Sequence, residues 1–266
     1  MGGEAVPRMK ILLFGKDGQV GWELQRSLLT VGDIIASEQH ELDFENPDAM
    51  RGWVRRHQPD IIVNAAAYTA VDRAESEPDK ARRINAEAVG VLAEEANRLD
   101  AWLVHYSTDY VFDGEKNGPY REDDLPNPLS VYGLTKLEGE AHIRERHAKH
   151  FIFRTSWVFA ARGNNFAKTM LRLAKERETL NVIADQHGAP TSAELLADVT
   201  AVALHRTLYK ERPAGLAGTY HVVARGETTW HDYAYYVIAV AREKGIALKT
   251  APENVLPITT EAYPLP

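Results

Sequence analysis

The chain has 266 residues, 44% of them hydrophobic, no cysteine and a formal net charge of −7. The absence of cysteine excludes disulfides, thiolate metal sites and cysteine nucleophiles. The acidic balance, without an extended basic run, argues against nucleic-acid or anionic-membrane binding as the main activity. No segment is apolar for long enough to span a membrane or to form a signal-peptide core, so we expect a cytoplasmic protein. This length and composition predict one large domain or two closely joined ones.

The first predicted elements are a strand, a glycine-rich turn and a helix. Residues 10–14 (KILLF) are a short apolar run, typical of a buried parallel strand. Gly15, Gly18 and Gly21 follow in a GxxGxxG spacing, and the helix WELQRSLL comes next. Such glycines permit a tight turn and a close backbone approach, and the helix N-terminus faces a pyrophosphate. The order predicts a dinucleotide-binding loop, with a plain glycine turn as the alternative.

Further strand and helix segments alternate along the first half of the chain. Strands are predicted at residues 33–37, 60–67 and 101–107, and helices at residues 46–57 and 78–98. Repeated units of this length predict an α/β fold with a Rossmann-like, doubly wound parallel sheet. The second strand ends at Ser37 and Glu38, where classical NAD sites carry an acidic residue for the ribose 2′-hydroxyl. Without a clear arginine for a 2′-phosphate, the choice between NADH and NADPH stays open.

The second half predicts a smaller C-terminal substrate-binding domain. Its elements are strands at residues 151–159, 181–184 and 219–224, and helices at 166–176, 193–208 and about 229–244 with Thr228 or Thr229 as N-cap. The predicted division gives residues 9–158 plus about 181–208 to the dinucleotide-binding domain. About 159–180 plus 209–266 form the substrate-binding domain, and 1–8 are a leader. Because a proline-rich run is a poor domain terminus, the C-terminal end is expected to be missing.

One stretch carries the residues of a predicted acid–base site. Tyr132 and Lys136 lie four apart on a predicted helix, so they project from the same face. Ser107 and Thr108 lie at the end of the preceding strand, where open α/β sheets bind ligands. If the helix and the strand end converge, a hydroxyl, a phenol and an ammonium meet in one pocket.

Seven ordered motifs now indicate a family. They are GKDGQVGWEL, NAAAYTAVDRAE, HYSTDYVFDG, VYGLTKLEGE, FRTSWVF, GNNFAKTMLRLA and DQHGAPT. Together they resemble the extended short-chain dehydrogenase/reductases that act on nucleotide-sugars, and within them the dTDP-4-dehydrorhamnose reductases, from Lys10 to near Pro264. The resemblance implies reduction of the C4 ketone of dTDP-4-dehydro-6-deoxy-L-mannose to dTDP-L-rhamnose by NADPH or NADH. Members of this family continue further at the C-terminus.

The resemblance also assigns the catalytic roles. Tyr132 matches the proton donor to the new alkoxide, and a phenol with its ordinary pKa of about 10 needs help to exchange a proton near neutrality. Lys136 would lower that pKa by its charge and bind the nicotinamide ribose. Thr108 would hold the ketone oxygen, with Ser107 as the neighbouring alternative. Asn85 resembles the asparagine that positions a proton-relay water.

Binding residues follow from the same motifs. The residues at the pyrophosphate are Gly15, Gly18, Gln19, Val20 and Gly21. The adenosine side is Ser37, Asp43 and Phe44, and the wall beside the nicotinamide is Ala67, Tyr68, Thr69 and Tyr106, with Tyr132 and Lys136. Asp109 and Trp157 match sugar contacts, although Trp157 also fits a core position. Asn165, Lys168 and Arg172 share a helix face, which is either a diphosphate site or a solvated basic surface.

The implied partners are a dTDP-sugar substrate and a second copy of the chain, with no nucleic acid and no membrane. Some family members bind Mg²⁺ at a dimer contact through glutamates, and Glu23 and Glu194 match two such positions. The third would lie beyond Pro266.

Three alternatives stay open. Related dehydratases carry Asp-Glu directly after the catalytic threonine, whereas Tyr110 follows Asp109 here, which argues against elimination. An epimerase would keep the Tyr–Lys pair but usually has another strand-end motif. Relatives also serve as non-catalytic, NADP-binding regulatory subunits, because fold does not fix function. The presence of Thr108, Tyr132 and Lys136 favours an enzyme.

Overall fold

The computed structural model describes residues 8–37, 42–209 and 213–263. Glu38, the end of the chain and nearly all of the expected leader lie outside these ranges. The strands are β1 (Met9–Phe14), β2 (Gly32–Ala36), β3 (Ile61–Asn64), β4 (Trp102–Thr108), β5 (His150–Thr155), β6 (Val158–Phe159), β7 (Leu180–Ile183), β8 (His187–Gly188), β9 (Thr191–Ser192), β10 (Gly218–His221), β11 (Thr228–Thr229) and β12 (Val255–Ile258). The α-helices are α1 (Gln19–Ser27), α2 (Pro47–His57), α3 (Val71–Ser76), α4 (Pro78–Arg82), α5 (Ala88–Leu99), α6 (Val131–Arg146), α7 (Phe166–Glu176), α8 (Ala193–Tyr209) and α9 (Trp230–Glu243).

Six of the described strands form one sheet in the order β10-β5-β4-β3-β1-β2, and every neighbouring pair is parallel. β3 and β4 are buried along their whole length, as expected for parallel strands that helices cover. The chain leaves β1 toward one edge and returns to β3 on its other side. The carboxyl ends of β1 and β3 therefore flank the switch point, where doubly wound sheets bind ligands. The predicted Rossmann-like fold is confirmed.

An apolar core joins this sheet to its helices. Its members are fully or almost fully buried and come from the strands and from three helices: Leu12, Phe14, Ile62, Leu103 and Ile152 from strands, Met50 and Val54 from α2, and Leu92 and Ile143 from α5 and α6. Burying each large aliphatic side chain contributes about 1.5–3 kcal/mol. This core holds the strand ends and α6 in place. Among the described residues, no helix is both long and apolar enough to cross a membrane.

The chain divides into two compact units. The first comprises the residues up to Thr155 together with Glu194–Val222, and the second comprises Ser156–Ala193 and the residues from Val223 on. Residues 156–158 and 181–193 thus group with the second unit and residues 213–222 with the first, whereas the expected division assigned these segments the other way round. Within the second unit, α7 and α9 pack around a small core with β7 and β12.

Two predicted elements need correction. The strand predicted at residues 151–159 ends at Thr155, because Trp157 adopts a positive φ of 47° and turns the chain. The residues after it pair with β9 in a different sheet. The helix predicted at residues 78–98 is interrupted at Arg83–Glu87 by a segment of π-helix. Such segments are frequent at functional sites, and this one contains Asn85.

Candidate active site

The glycine-rich loop is shaped by two close backbone approaches. Gly15 has a φ of 80°, and a Cβ there would lie 2.6 Å from the Ala66 nitrogen. A Cβ on Gly21 would lie 1.9 Å from the Gly15 carbonyl oxygen. Gly18 is the N-cap of α1, and its N–H donates to the Gly15 carbonyl at 3.1 Å. Because only glycine fits at positions 15 and 21, the loop can bring backbone N–H groups and the start of α1 (Gln19, Val20) against a pyrophosphate.

The three residues predicted to contact the adenosine half of the cofactor differ in their exposure. Ser37 directly follows β2, is buried, and donates its backbone N–H to the Leu13 carbonyl at 3.2 Å. Asp43 is exposed and accepts from the Glu45 N–H at 2.8 Å, while the Phe44 ring packs edge-on against Phe14 at 5.6 Å. Phe44 therefore packs against the core beside β1.

The loop after β3 is held by Asn85. The Asn85 Oδ1 accepts from the Tyr68 N–H at 2.8 Å, and its Nδ2 donates to the Tyr68 carbonyl at 3.0 Å and to Thr135 Oγ1 at 3.3 Å. The Tyr68 hydroxyl donates to Glu77 at 2.6 Å. Asn85 thus ties the predicted nicotinamide wall, Ala67 to Thr69, to α6. The role expected for it, positioning a relay water, stays a prediction.

The end of β4 presents Thr108 and Asp109. Thr108 Oγ1 accepts from the Tyr110 N–H at 3.2 Å and donates to Asp109 Oδ1 at 3.1 Å. Burial raises the pKa of Asp109 to about 6. Because successive side chains alternate across a strand, Ser107 points the other way, toward Glu140, and helps to lower the pKa of that carboxyl.

The start of α6 brings Tyr132 to Thr108. Ser130 caps the helix by accepting from the Gly133 N–H at 3.1 Å. A Cβ on Gly133 would lie 2.1 Å from the Tyr110 carbonyl oxygen, so this glycine lets α6 approach the turn after β4. Thr108 is close enough to the Tyr132 hydroxyl to act on its pKa, in the lowering direction, and the Tyr132 ring packs edge-on against Tyr110 at 5.6 Å. Burial, together with the Asp109 charge, raises the pKa of Tyr132.

Lys136 lies one helical turn after Tyr132 and is 1% exposed. Its Nζ donates to the Tyr106 carbonyl at 2.6 Å and lies 3.0 Å from His105 Nε2. Burial lowers the pKa of Lys136 to about 8, against the opposite effect of the Glu140 charge. Tyr106 contacts Lys136 through its backbone carbonyl, whereas its side-chain hydroxyl forms a hydrogen bond with Thr200 of α8 at 2.6 Å.

Four buried polar residues around Lys136 were missed from the sequence: Asn64, His105, Glu140 and Arg154. Asn64 and His105 interrupt otherwise apolar strands, and buried polar groups require partners. That interruption is the signal by which these two could have been found. Arg154 likewise interrupts an apolar strand and could have been found in the same way, whereas Glu140 lies in an ordinary charged stretch of α6 and carries no such signal.

The second unit contains the other predicted substrate residues. The Trp157 ring stacks on Trp230 with centroids 3.5 Å apart, over Gly188, where a Cβ would lie 2.5 Å from the indole. Asn165 caps α7 by accepting from the Lys168 N–H at 3.1 Å, and the Lys168 amine bonds the Ala161 and Gly163 carbonyls. These contacts hold the loop before α7.

The two predicted metal ligands lie on α1 and α8. Glu23 is half-buried and lies 3.7 Å from the Arg26 guanidinium, and Glu194 is exposed at the start of α8. Within residues 8–37, 42–209 and 213–263, no three histidine, aspartate or glutamate side chains are grouped so that they could hold a metal ion. The described residues of this chain therefore do not by themselves fit Mg²⁺.

Comparison with known proteins identifies the family. The model of the RmlD substrate binding domain matches residues 9–266. A dTDP-4-dehydrorhamnose reductase of Salmonella typhimurium is 58% identical over 262 residues, which cover 97% of this chain and 86% of the relative. One from Burkholderia thailandensis is 50% identical over 97% of this chain and 87% of its own length.

Solved structures of similar proteins indicate the same family. The dTDP-4-dehydrorhamnose reductase of Bacillus anthracis, in complex with NADP, superposes with a TM-score of 0.86 at 38% identity, covering 96% of this chain and 85% of the other. The ortholog from Clostridium acetobutylicum gives 0.86 at 39% identity, covering 97% and 86%. The chain belongs to the dTDP-4-dehydrorhamnose reductase family.

Proposed function

We propose that this chain reduces the C4 ketone of dTDP-4-dehydro-6-deoxy-L-mannose to dTDP-L-rhamnose, with Tyr132 as proton donor, Thr108 as carbonyl-binding residue and Lys136 as the charge that supports both. The observation that supports these roles is that the start of α6 brings Tyr132 beside the carboxyl end of β4, where Tyr110 packs against the Tyr132 ring and donates its N–H to Thr108. Both hydroxyls can donate to one oxygen that is placed between them, once Thr108 turns its proton from Asp109 to that oxygen. The names of the relatives supply the substrate class.

The site fits a nicotinamide dinucleotide. Gly15 and Gly21 allow close backbone approaches that a Cβ would prevent, and α1 begins directly after this loop, so that its positive end can face the pyrophosphate. When bound, the nicotinamide supplies the hydride that attacks C4. Ser37 carries no charge that would repel a 2′-phosphate, so we expect the protein to accept both NADPH and NADH. Parallel measurements of kcat/KM with the two cofactors test this expectation.

The chain's own residues manage the proton. Burial and Asp109 keep the Tyr132 phenol protonated near neutral pH, because both raise its pKa. The phenol can therefore act as a general acid when negative charge develops on the substrate oxygen. Once the proton has left, the phenolate needs a nearby positive charge, and the Lys136 ammonium one turn away supplies it. Thr108 holds the same oxygen and orients it toward the phenol.

The test is NADPH or NADH oxidation with dTDP-4-dehydro-6-deoxy-L-mannose, comparing wild type with two tyrosine variants. Tyr132→Phe removes the general acid, so kcat should fall by about 10²–10⁴-fold while the cofactor Kd changes little. Tyr110→Phe is the matched control, because it keeps the ring that packs against Tyr132. It should retain most of the activity. A fully active Tyr132→Phe protein would mean that the proton donor is misassigned.

The rival roles give different results in the same assay. Cofactor binding without turnover of this ketone points to a regulatory subunit, and loss of water from a dTDP-hexose points to a dehydratase. The Mg²⁺ site at Glu23 and Glu194, the homodimer and the cytoplasmic location stay predictions. Size-exclusion chromatography with and without EDTA tests the first two together.

A further inference from the structure

A line of buried polar groups connects the loop after β3 to Lys136. Asn64 ends β3, His105 lies beside it on β4, and neither is more than 1% exposed. The Asn64 Nδ2 lies 3.2 Å from His105 Nδ1, and His105 Nε2 lies 3.0 Å from Lys136 Nζ. Buried groups at these distances must be hydrogen-bonded, so the direction of each bond can be deduced from the chemistry of its partners.

The Ala66 backbone fixes the direction of the first bond. A backbone N–H only donates, and the Ala66 N–H donates to Asn64 Oδ1 at 3.1 Å. The Asn64 amide is therefore oriented with its oxygen toward Ala66 and its Nδ2 toward His105. Since Nδ2 is a donor, the Nδ1 atom of His105 has to accept.

The tautomer of His105 then determines the state of Lys136. Burial holds the pKa of His105 well below its usual range, so the ring is neutral and carries one N–H. With Nδ1 accepting, that N–H is on Nε2 and points at Lys136 Nζ. An ammonium has only donors, whereas a neutral amine has a lone pair that accepts this bond while another N–H reaches the Tyr106 carbonyl. The arrangement fits the neutral amine.

The electrostatic surroundings act on Lys136 in both directions. The titratable and charged groups around its amine, from each element packed there, are His105 from β4, Tyr132 and Glu140 from α6, and Arg154 from β5. Glu140 favours the charged form, but its carboxylate is shared with Arg154 at 2.7 Å. Burial outweighs it and lowers the pKa of Lys136 to about 8.

We propose that Asn64 and His105 are positioning residues that hold Lys136 as a neutral amine until the cofactor binds, so that cofactor binding takes up one proton from solvent at Lys136. The proposal rests on the proposed role of Lys136 in binding the nicotinamide ribose. A charged Lys136 in its present position would need the other His105 tautomer, and Asn64 would have to turn its amide and lose its bond to Ala66. A ribose hydroxyl that accepts from Nζ removes this conflict, because the ammonium then no longer faces the His105 N–H.

Proton uptake on cofactor binding is the direct test. Calorimetric titration with NADPH and with NADH, in buffers of different ionisation enthalpy, gives the number of protons taken up per cofactor bound. The titrations use Tyr132→Phe protein, so that the phenol contributes none. At pH 9 we expect about 0.9 proton per cofactor, because an amine with a pKa of about 8 is then mostly neutral. The uptake should fall toward zero at lower pH, with a midpoint that reports Lys136 in the free protein.

Two substitutions in the Tyr132→Phe protein test the hydrogen-bond directions. In Asn64→Asp the carboxylate accepts from both Ala66 and His105. This reverses the direction of the two hydrogen bonds of His105, so that its Nε2 accepts from a charged Lys136. His105→Gln places an amide oxygen within reach of Lys136 and adds no charge. Both should raise the midpoint by at least about one pH unit and roughly halve the uptake at pH 9. His147→Gln is the control, because His147 is also buried, at 4% exposed, but its ring bonds the Ala101 carbonyl at 2.7 Å, and it should leave the midpoint unchanged.

The outcomes separate this proposal from the proposed function. Cofactor binding with less than about 0.2 proton taken up at pH 9 overturns the proposal and leaves the reductase function standing. The same midpoint in the parent protein and in a folded Asn64→Asp or His105→Gln variant also overturns it. Failure to bind either cofactor at any pH contradicts the proposed function instead. Because the parent titration needs no substitution at Asn64 or His105, a variant that does not fold leaves the test intact.

Discussion

Glu140 and Arg154 form a buried ion pair whose loss should be costly. The Glu140 side chain is fully buried and accepts from Arg154 Nε at 2.9 Å and Nη2 at 2.7 Å. Arg154 is itself 4% exposed, so Glu140→Gln leaves a guanidinium in the interior without its counter-charge. Breaking such a pair costs about 3–5 kcal/mol, a large part of the 5–15 kcal/mol by which most domains are stable. Replacing both partners, as in Glu140→Leu/Arg154→Met, should recover most of this loss because no charge is left unpaired.

Urea unfolding at pH 7, followed by circular dichroism on the cofactor-free protein, measures these differences. Arg144→Met is the matched control: Arg144 bonds the same carboxylate at 2.9 Å but is 40% exposed, so its removal should cost less than about 1 kcal/mol. The ion pair lowers the pKa of Glu140, so its stabilisation is present above the unfolded pKa and is lost as the pH falls through the folded one. A Glu140→Gln protein no less stable than Arg144→Met would refute the reasoning.

Two further predictions concern the glycine loop and the buried lysine. Gly21→Ala should weaken cofactor binding at least tenfold and lower stability, because its Cβ would lie 1.9 Å from the Gly15 carbonyl oxygen. The control is Gly52→Ala in the exposed middle of α2, where a Cβ meets nothing within 4 Å, and it should add up to about 1 kcal/mol to the free energy of unfolding. Equal effects of the two substitutions in urea unfolding would contradict this prediction. For Lys136, the folded pKa of about 8 lies below the ordinary 10.5, so the unfolded chain binds the proton more tightly and stability rises with pH. Wild type should therefore gain about 2 kcal/mol over Lys136→Met between pH 7 and pH 9.5, and parallel pH profiles of the two proteins would argue against a buried amine.

The parts of the site that the sequence predicts are those that depend on local spacing. GxxGxxG between a strand and a helix, and Tyr132 four residues before Lys136, follow from backbone geometry within a few residues. From the sequence, Thr108 could be placed beside Tyr132 only by assuming that the strand and the helix converge. The structure shows why Ser107 differs: it lies on the opposite face of β4, an alternation that no spacing between the two motifs reveals.

Other features could not be predicted because their causes are distant or atypical. FIFRTSWVF is rich in aromatic and β-branched residues, which predicts one strand, yet Trp157 lies in the left-handed region, where bulky residues are rare. β12 was missed because it contains Pro257. It pairs only with β7 among the described strands, and a proline fits there because an edge strand needs no hydrogen bond on its free side. Asn64 and His105 meet Lys136 across three elements that are far apart in sequence.

Polar contacts of α6 add to the apolar packing of Ile143, the one large apolar side chain among the buried residues of this helix, in holding Tyr132 in place. Thr135 is bonded by Asn85, Lys136 bonds the end of β4, and Glu140 bonds β5, so three successive groups tie the helix to three different elements. A Cβ on Gly139 would lie 2.3 Å from the Asn85 carbonyl oxygen, which shows how closely the helix approaches its neighbour. Apolar packing alone would tolerate a small slide of α6, whereas a hydrogen bond weakens steeply with distance and angle. These polar contacts therefore hold Tyr132 at the carboxyl end of β4, where the proposed proton transfer needs an accurately placed phenol.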